Sequence, residues 1–238
     1  MNLENTEIQS FKEKGEENMS VVVAIKQDGK IFMGADSQST KGGTRTTLSN
    51  PNNYKIWKVN GVENCLMSQI GTVRNANVIR VMDELVTETA DLKQTVDFEY
   101  VVKILVPKIM KELKTYSLNL RDSDGLEKMN SSFLFAYHDN LFMIDAYGSV
   151  IEVDDFCAIG SGTGEAIGSL LSTINITDPI KRIQEAIKAS AAHDIYVDYP
   201  IIITDTESTE FKVFYEKDLN PEKKQSDKKT PKQVNQND

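Results

Sequence analysis

Apolar residues first gather at Val21, Val22, Val23, Ala24 and Ile25, and again, after Asp28-Gly29, at Ile31, Phe32 and Met33. Short continuous apolar runs bounded by a turn read as strands buried on both faces. Asp28-Gly29 suits a two-residue hairpin turn, because both central residues need φ > 0. The second strand closes on Gly34-Ala35-Asp36-Ser37. A carboxylate at the end of a doubly buried strand demands a paired cation.

Lys41 to Asn53 is polar, rich in Gly, Thr and Asn, and reads as a loop. Tyr54 to Val59 alternates apolar with basic residues and predicts a short strand, Asn60-Gly61 a turn, and Cys65 to Ile70 the returning strand. The pattern then lengthens to a period of about 3.6. Ala76, Ile79, Met82, Val86 and Ala90 predict a long helix opening at Gly71-Thr72. A second helix is expected from an N-cap at Asp97, burying Val101, Ile104, Leu105, Ile109 and Leu113, with Pro107 bending it. Asn119 to Asn130 reads as a charged loop, followed by strands over Ser132 to His138 and Leu141 to Tyr147 joined at Asp139-Asn140. Phe156 to Ile159 is a buried strand that runs into Gly160-Ser161-Gly162-Thr163-Gly164 and a helix reaching Leu171. Asp178-Pro179 sets an N-cap before Pro at the first helical position, opening a helix to about Ala192. Tyr199 to Thr204 and Phe211 to Tyr215 predict a last hairpin. Residues 1–17 carry almost no apolar period, and the chain from Lys217 onward is polar nearly throughout; both read as disordered.

The order is strands, two helices, strands, two helices, strands, an α+β arrangement with a core sized for one domain of 238 residues. A net charge of −9 argues against a nucleic-acid partner, which selects for a basic patch. No apolar run is long enough to span a membrane. The N-terminal segment has no apolar core of a secretory signal. Two cysteines make no disulfide framework and suit a reducing, cytoplasmic setting. Cys157 reads as a small core hydrophobe. His138 and His193 lack metal-ligand spacing and read as exposed or capping residues. Gly160 to Glu165 imitates a dinucleotide fingerprint but lacks its last small residue and sets Glu165 where a phosphate would sit.

The opening strand–turn–strand, with Ser20 before it, Gly29 in its turn and Asp36 at its end, resembles proteasome β-type subunits and the bacterial HslV protease. Three further segments carry the resemblance: Tyr54-Lys55-Ile56, Gly160-Ser161-Gly162 and Ala191 to Tyr196. It extends over residues 20 to about 215. The resemblance implies a four-layer αββα sandwich of the N-terminal-nucleophile hydrolases, with Ser20 as nucleophile and Asp36, Lys55, Ser161 and Asp194 around it. The oxyanion donors would be the backbone N–H groups at Ile70-Gly71, where the family has Gly-Gly. Val197 stands where the family usually has a serine.

In such an enzyme the α-amine of the mature first residue acts as general base for its own hydroxyl. The resemblance also implies a homo-oligomeric ring, an unfolded polypeptide substrate and an ATP-dependent unfoldase, with no cofactor and no metal. Two other readings stay open: a non-catalytic ring or scaffold subunit of the same fold, and an N-terminal-nucleophile amidohydrolase acting on a small amide. The expected boundaries are 1–19 as leader, propeptide or mis-assigned start, 20–216 as the domain, and 217–238 as a polar tail. Met19 is the expected working start, since removal of an initiator Met frees Ser20. Lys14-Gly15-Glu16 can be encoded AAA-GGA-GAA, which holds the ribosome-binding sequence AAGGAG just upstream of the Met19 codon.

Overall fold

A computed structural model describes residues 19–86 and 96–219. The expected leader apart from Met19, the tail beyond Leu219, and Ala90 lie outside the described residues. β1 (Val21–Gln27) and β2 (Lys30–Ala35) form the expected hairpin. Its turn residues take left-handed φ, 54° at Asp28 and 75° at Gly29. β3 (Gln38–Lys41) and β4 (Thr44–Thr47) follow as a second hairpin where a plain loop was expected. These short polar strands carry no apolar alternation, so only Gly42-Gly43 marked the hairpin.

β5 (Ile56–Lys58) and β6 (Cys65–Gly71) pair as expected. α1 (Val73–Arg80) is shorter than its apolar spacing predicted. Val81 is 72% exposed beyond its end, and Glu84 at φ 50° turns the chain so that Leu85 and Val86 enter the core by another route. Asp97 caps α2 (Phe98–Tyr100), its carboxylate accepting the Tyr100 N–H at 2.9 Å. α2 continues through a π-helical turn, Val101–Leu105, into α3 (Val106–Thr115). There the Val106 N–H donates to Val101 O. The π turn ends beside Pro107, whose ring removes one donor from the ladder; the expected irregularity takes this form.

The charged loop after α3 contains a small ladder of β7 (Leu120–Arg121) and β8 (Glu127–Lys128). β9 (Ser131–Tyr137), β10 (Asn140–Ile144) and β11 (Val150–Glu152) form a meander, turning one residue earlier than expected because His138 takes φ 53°. β12 (Phe156–Gly160), α4 (Thr163–Ser172) and α5 (Pro179–His193) follow, with Asp178 capping α5 through the N–H groups of Ile180 and Lys181. β13 (Ile201–Asp205) and β14 (Lys212–Phe214) close the sheet. α6 (Glu216–Leu219) is a single turn where the polar tail was expected to have begun.

Among the described residues the strands form two five-stranded sheets, ordered β12-β1-β2-β13-β14 and β11-β10-β9-β6-β5. Alternation explains why β1 is apolar on both faces. Val22 and Ala24 meet Leu66, Leu134 and Ala136 of the other sheet, while Val21, Val23 and Ile25 meet Leu170, Ile183 and Ile187 of α4 and α5. On the second sheet, Phe133 and Phe135 face Leu105, Ile109 and Leu113. Each such side chain, taken fully out of water, contributes about 1.5–3 kcal/mol. The result is helices, sheet, sheet, helices: the αββα sandwich. Register brings Val21 opposite Gly160, Val22 opposite Ala35, and Ile56 opposite Ser68. The start of β1, the ends of β2, β6 and β12, and the start of β5 therefore meet at one end of the two sheets.

Candidate active site

Asp36 is the hub of that end. It is 1% exposed and stands just past β2. Its Oδ1 accepts Lys55 Nζ at 2.6 Å and the Val21 N–H at 2.9 Å, and its Oδ2 accepts the Gln38 N–H at 2.9 Å. The cation that a buried carboxylate demands is thus Lys55, 9% exposed just before β5. Burial pushes Asp36 up and Lys55 down, and each is opposed by the charge of the other. Lys58, three positions on, points elsewhere and donates to Asp205 O at 2.6 Å.

Ser20 is 3% exposed and immediately precedes β1. Its backbone N–H donates to Ser161 Oγ at 3.2 Å, and its hydroxyl donates to the Met19 carbonyl in a very short contact. The Ser20 carbonyl accepts the Gly162 N–H at 3.3 Å. Gly160 makes this approach feasible. Its φ is 114°, and a Cβ there would lie 2.1 Å from Ser20 O. Only glycine adopts that backbone without strain and leaves the space empty.

Ile70 and Gly71 end β6, across a cavity of about 380 Å³ whose lining also includes Ser20 and Lys55. The left-handed position is Gly71, at φ 101°; Ile70 remains in the strand, where a side chain is tolerated. Gln69 Nε2 donates to Ile70 O at 2.6 Å and to Ser131 Oγ at 2.8 Å. Because a peptide is planar and trans, anchoring that carbonyl also fixes the Gly71 N–H. Direct bonds therefore join Ser20 to Ser161, and Asp36 to Lys55 and to the residue after Ser20, while Ile70 and Gly71 share their cavity.

Asp194 stands apart from this network. It caps the C-terminus of α5, its Oδ1 accepting the Tyr196 N–H at 2.8 Å. Its Oδ2 is buried and accepts no hydrogen bond from the described residues. It reaches Lys55 as a negative charge that raises the lysine's pKa. Val197, 3% exposed, packs against the position a Gly162 side chain would occupy.

Several supporting residues escaped the sequence pattern. Gln38 and Gln69 hold the two turns through backbone contacts that no spacing announces. Ser190 donates to Gly162 O at 2.7 Å, and a signal for it existed: it continues the buried face of Ile183, Ala186 and Ile187 on α5 at helical spacing. Cys157 is buried in the inter-sheet core, and burial pushes its thiol up to about 12, which suits an inert packing role. His138 and His193 are exposed.

A family model described as a proteasome subunit matches residues 17–204. The chain belongs to the proteasome subunit family. The proteasome subunit beta of Nanoarchaeum equitans (strain Kin4-M) is 35% identical over 81 residues, which is 32% of this chain and 41% of that protein. This proteasome-family chain thus spans about two fifths of the curated relative's length. Among solved structures, Thiobacillus denitrificans BPH in complex with epoxomicin is 22% identical with a TM-score of 0.62, over 80% of this chain and 100% of that one. Eukaryotic HslV from Trypanosoma brucei is 18% identical with a TM-score of 0.54, over 78% of this chain and 98% of the other. At these identities the likeness is one of fold, and the fold is the proteasome sandwich.

Proposed function

We propose that this proteasome-family chain is a peptidase whose nucleophile is Ser20, once residues 1–19 are removed. The observation that carries the reading is the bifurcated bond at Asp36 Oδ1. One oxygen holds Lys55 Nζ and the Val21 N–H together, which seats a buried cation beside the residue that follows the nucleophile. The freed α-amine takes the Ser20 hydroxyl proton as Oγ attacks the substrate carbonyl. The Lys55 ammonium favours the neutral amine and the developing alkoxide, as a nearby positive charge does. Ser161 Oγ, already bonded to the Ser20 nitrogen, orients that amine. The Gly71 N–H, fixed by Gln69, donates to the oxyanion. The amine passes its proton to the departing nitrogen. A water then attacks the acyl carbonyl and gives its proton to the same amine, which returns it to Oγ as the acyl–Oγ bond breaks and the acid departs.

Ring assembly, an unfolded polypeptide substrate and an ATP-dependent unfoldase belong to the same proposal, as does a cytoplasmic setting. No helix among the described residues is long and apolar enough to cross a membrane. N-terminal sequencing of the protein from its native host is the deciding experiment. The expected mature chain begins at Ser20 and hydrolyses peptides. A chain that retains Met19 has its Ser20 nitrogen in an amide and no general base, which would leave the scaffold reading in its place.

A further inference from the structure

Three buried polar side chains bond to one another next to the Ile70–Gly71 peptide: Gln69 of β6, Ser131 of β9 and Asn75 of α1. Ser131 Oγ accepts both side-chain amides, Gln69 Nε2 at 2.8 Å and Asn75 Nδ2 at 2.9 Å. Those two bonds fill the acceptor positions of a hydroxyl. Gln69 and Asn75 meet again at the Thr72 carbonyl, which accepts Gln69 Nε2 at 3.2 Å and the Asn75 backbone N–H at 3.0 Å. With the bond from Gln69 Nε2 to Ile70 O, the network closes around Ile70, Gly71 and Thr72.

Asn75 is held in a single sense. Its Nδ2 also donates to the Met129 carbonyl, while its buried Oδ1 has no partner among the described residues. Turning the amide over would set Oδ1 against that carbonyl. An apolar side chain here would extend the buried face of Ala76 and Ile79 and leave no orphaned acceptor. The amide is kept despite that penalty, so its two donated bonds carry the reason for it. β9 closes the segment from the other side. A Cβ at Gly71 would lie 2.6 Å from Asn130 O and 3.0 Å from Ser131 Cα, and Asn130 Nδ2 donates to Thr72 Oγ1 at 3.0 Å.

We infer that Asn75 and Ser131 are positioning residues: acting through Gln69, they hold the Ile70–Gly71 peptide where the Gly71 N–H meets the oxyanion. The inference rests on the peptidase reading for its effect on turnover, but amide exchange tests the positioning separately. A donor fixed in advance stabilises developing charge without reorganising, and its bond weakens steeply as the angle opens. Loss of the clamp therefore falls on kcat rather than KM.

Ser131→Ala, Asn75→Leu and the double variant are made in the form beginning at Ser20. Peptide turnover is measured beside affinity for a peptide aldehyde and the matching peptide alcohol. With the aldehyde, Ser20 Oγ bonds to the carbonyl carbon, the hydroxyl proton passes to the α-amine, and the former carbonyl oxygen takes the place of the oxyanion. Each single variant is expected to lower kcat and aldehyde affinity about tenfold, less than the roughly 10²–10³ of an oxyanion donor lost outright. KM and alcohol affinity should stay within about twofold. The double variant should fall well short of the product of the singles, since both act through Gln69. Hydrogen exchange read by mass spectrometry should quicken over residues 69–72 and not over β1. Thr204→Val, which removes a bond to Glu210 O at 2.8 Å, is the control: it should lower the melting temperature and leave the aldehyde-to-alcohol ratio unchanged.

An unchanged ratio and kcat in folded variants, or an equal loss in Thr204→Val, would overturn the inference. If neither variant folds, the wild type decides: exchange at Gln69 and Thr72 as slow as in β1 upholds the clamp, and fast exchange there overturns it. A wild type that neither cleaves peptides nor prefers the aldehyde removes the peptidase reading. Exchange over residues 69–72 then upholds the positioning if it quickens in the variants and overturns it if it does not.

Discussion

At the scale of single residues, burial of the Asp36–Lys55 pair sets what its variants do. Sequence alone suggests that Lys55→Ala removes a tuning charge and leaves the fold intact. In the structure that change strands a buried carboxylate, which costs about 3–5 kcal/mol. The cleaner test replaces both partners, Asp36→Asn with Lys55→Met, keeping volume without an orphaned charge. We expect melting near that of the parent and kcat/KM lower by roughly 10²–10⁴. Lys58→Ala removes a bond to Asp205 O instead, so stability should fall by about 1–2 kcal/mol with kcat unchanged. Loss of kcat in Lys58→Ala would contradict the assignment of Lys55.

The pH profile follows from the same pair. An ordinary α-amine titrates near pH 8, and the Lys55 ammonium favours its neutral form, so activity should rise with pH through a midpoint below about 8. Burial lowers Lys55, so the alkaline loss should begin below the usual lysine range. Asp36→Asn removes the charge that raises Lys55 and should move the alkaline limb lower still. A limb that does not move on that change would show that Lys55 is not the titrating group.

At the scale of elements, two glycines of one segment have opposite prospects. Gly160 ends β12 at φ 114° with no room for a Cβ beside Ser20 O. Gly160→Ala should cost more than about 2 kcal/mol, the sum of a left-handed backbone and a clash, and displace Ser20. Gly164 lies in the first turn of α4 with open space around its Cβ position. Gly164→Ala should stabilise by about 0.5–1 kcal/mol through helix propensity and unfolded-state entropy. Thermal melts of both decide the matter; a destabilised Gly164→Ala would mean that something covers that face of α4. The π turn before α3 shows the same reasoning in the backbone, where Pro107 removes a donor and the ladder reorganises just ahead of it.

At the scale of the whole molecule, the full chain has a mass of 26.7 kDa, and the proposed mature subunit is lighter by residues 1–19. The proposed ring should run in native mass measurement as a high multiple of it. Ile195, 76% exposed, lies two residues past α5 and beside the candidate site, and Leu171 and Ile174 are 57% and 61% exposed at the end of α4. Charged substitutions such as Ile195→Lys or Ile174→Lys are expected to lower the assembled fraction if these side chains are covered by a second copy. A monomer at all concentrations would remove the ring from the proposed function while leaving the chemistry of Ser20 to stand.

The chain by itself determined the elements whose signals are local. The apolar run before Asp28-Gly29 could only be a buried hairpin, Asp97 and Asp178 could cap helices, and Asp36 at a buried strand end needed a cation. These depend on φ preferences and hydrogen bonds within a few residues. Which cation answers Asp36 was decided by register. Lys55 just precedes β5 and Lys58 ends it, three residues apart, and the pairing of β5 with β6 turned one to Asp36 and the other to Asp205. The β3–β4 hairpin, the early end of α1 and the detached position of Asp194 were likewise settled by packing rather than by local pattern. So was the positive lining of the cavity in a negatively charged chain. Lys41, Arg74 and Arg80 come from two separate elements, and no spacing along the sequence records that the sandwich sets them around one opening.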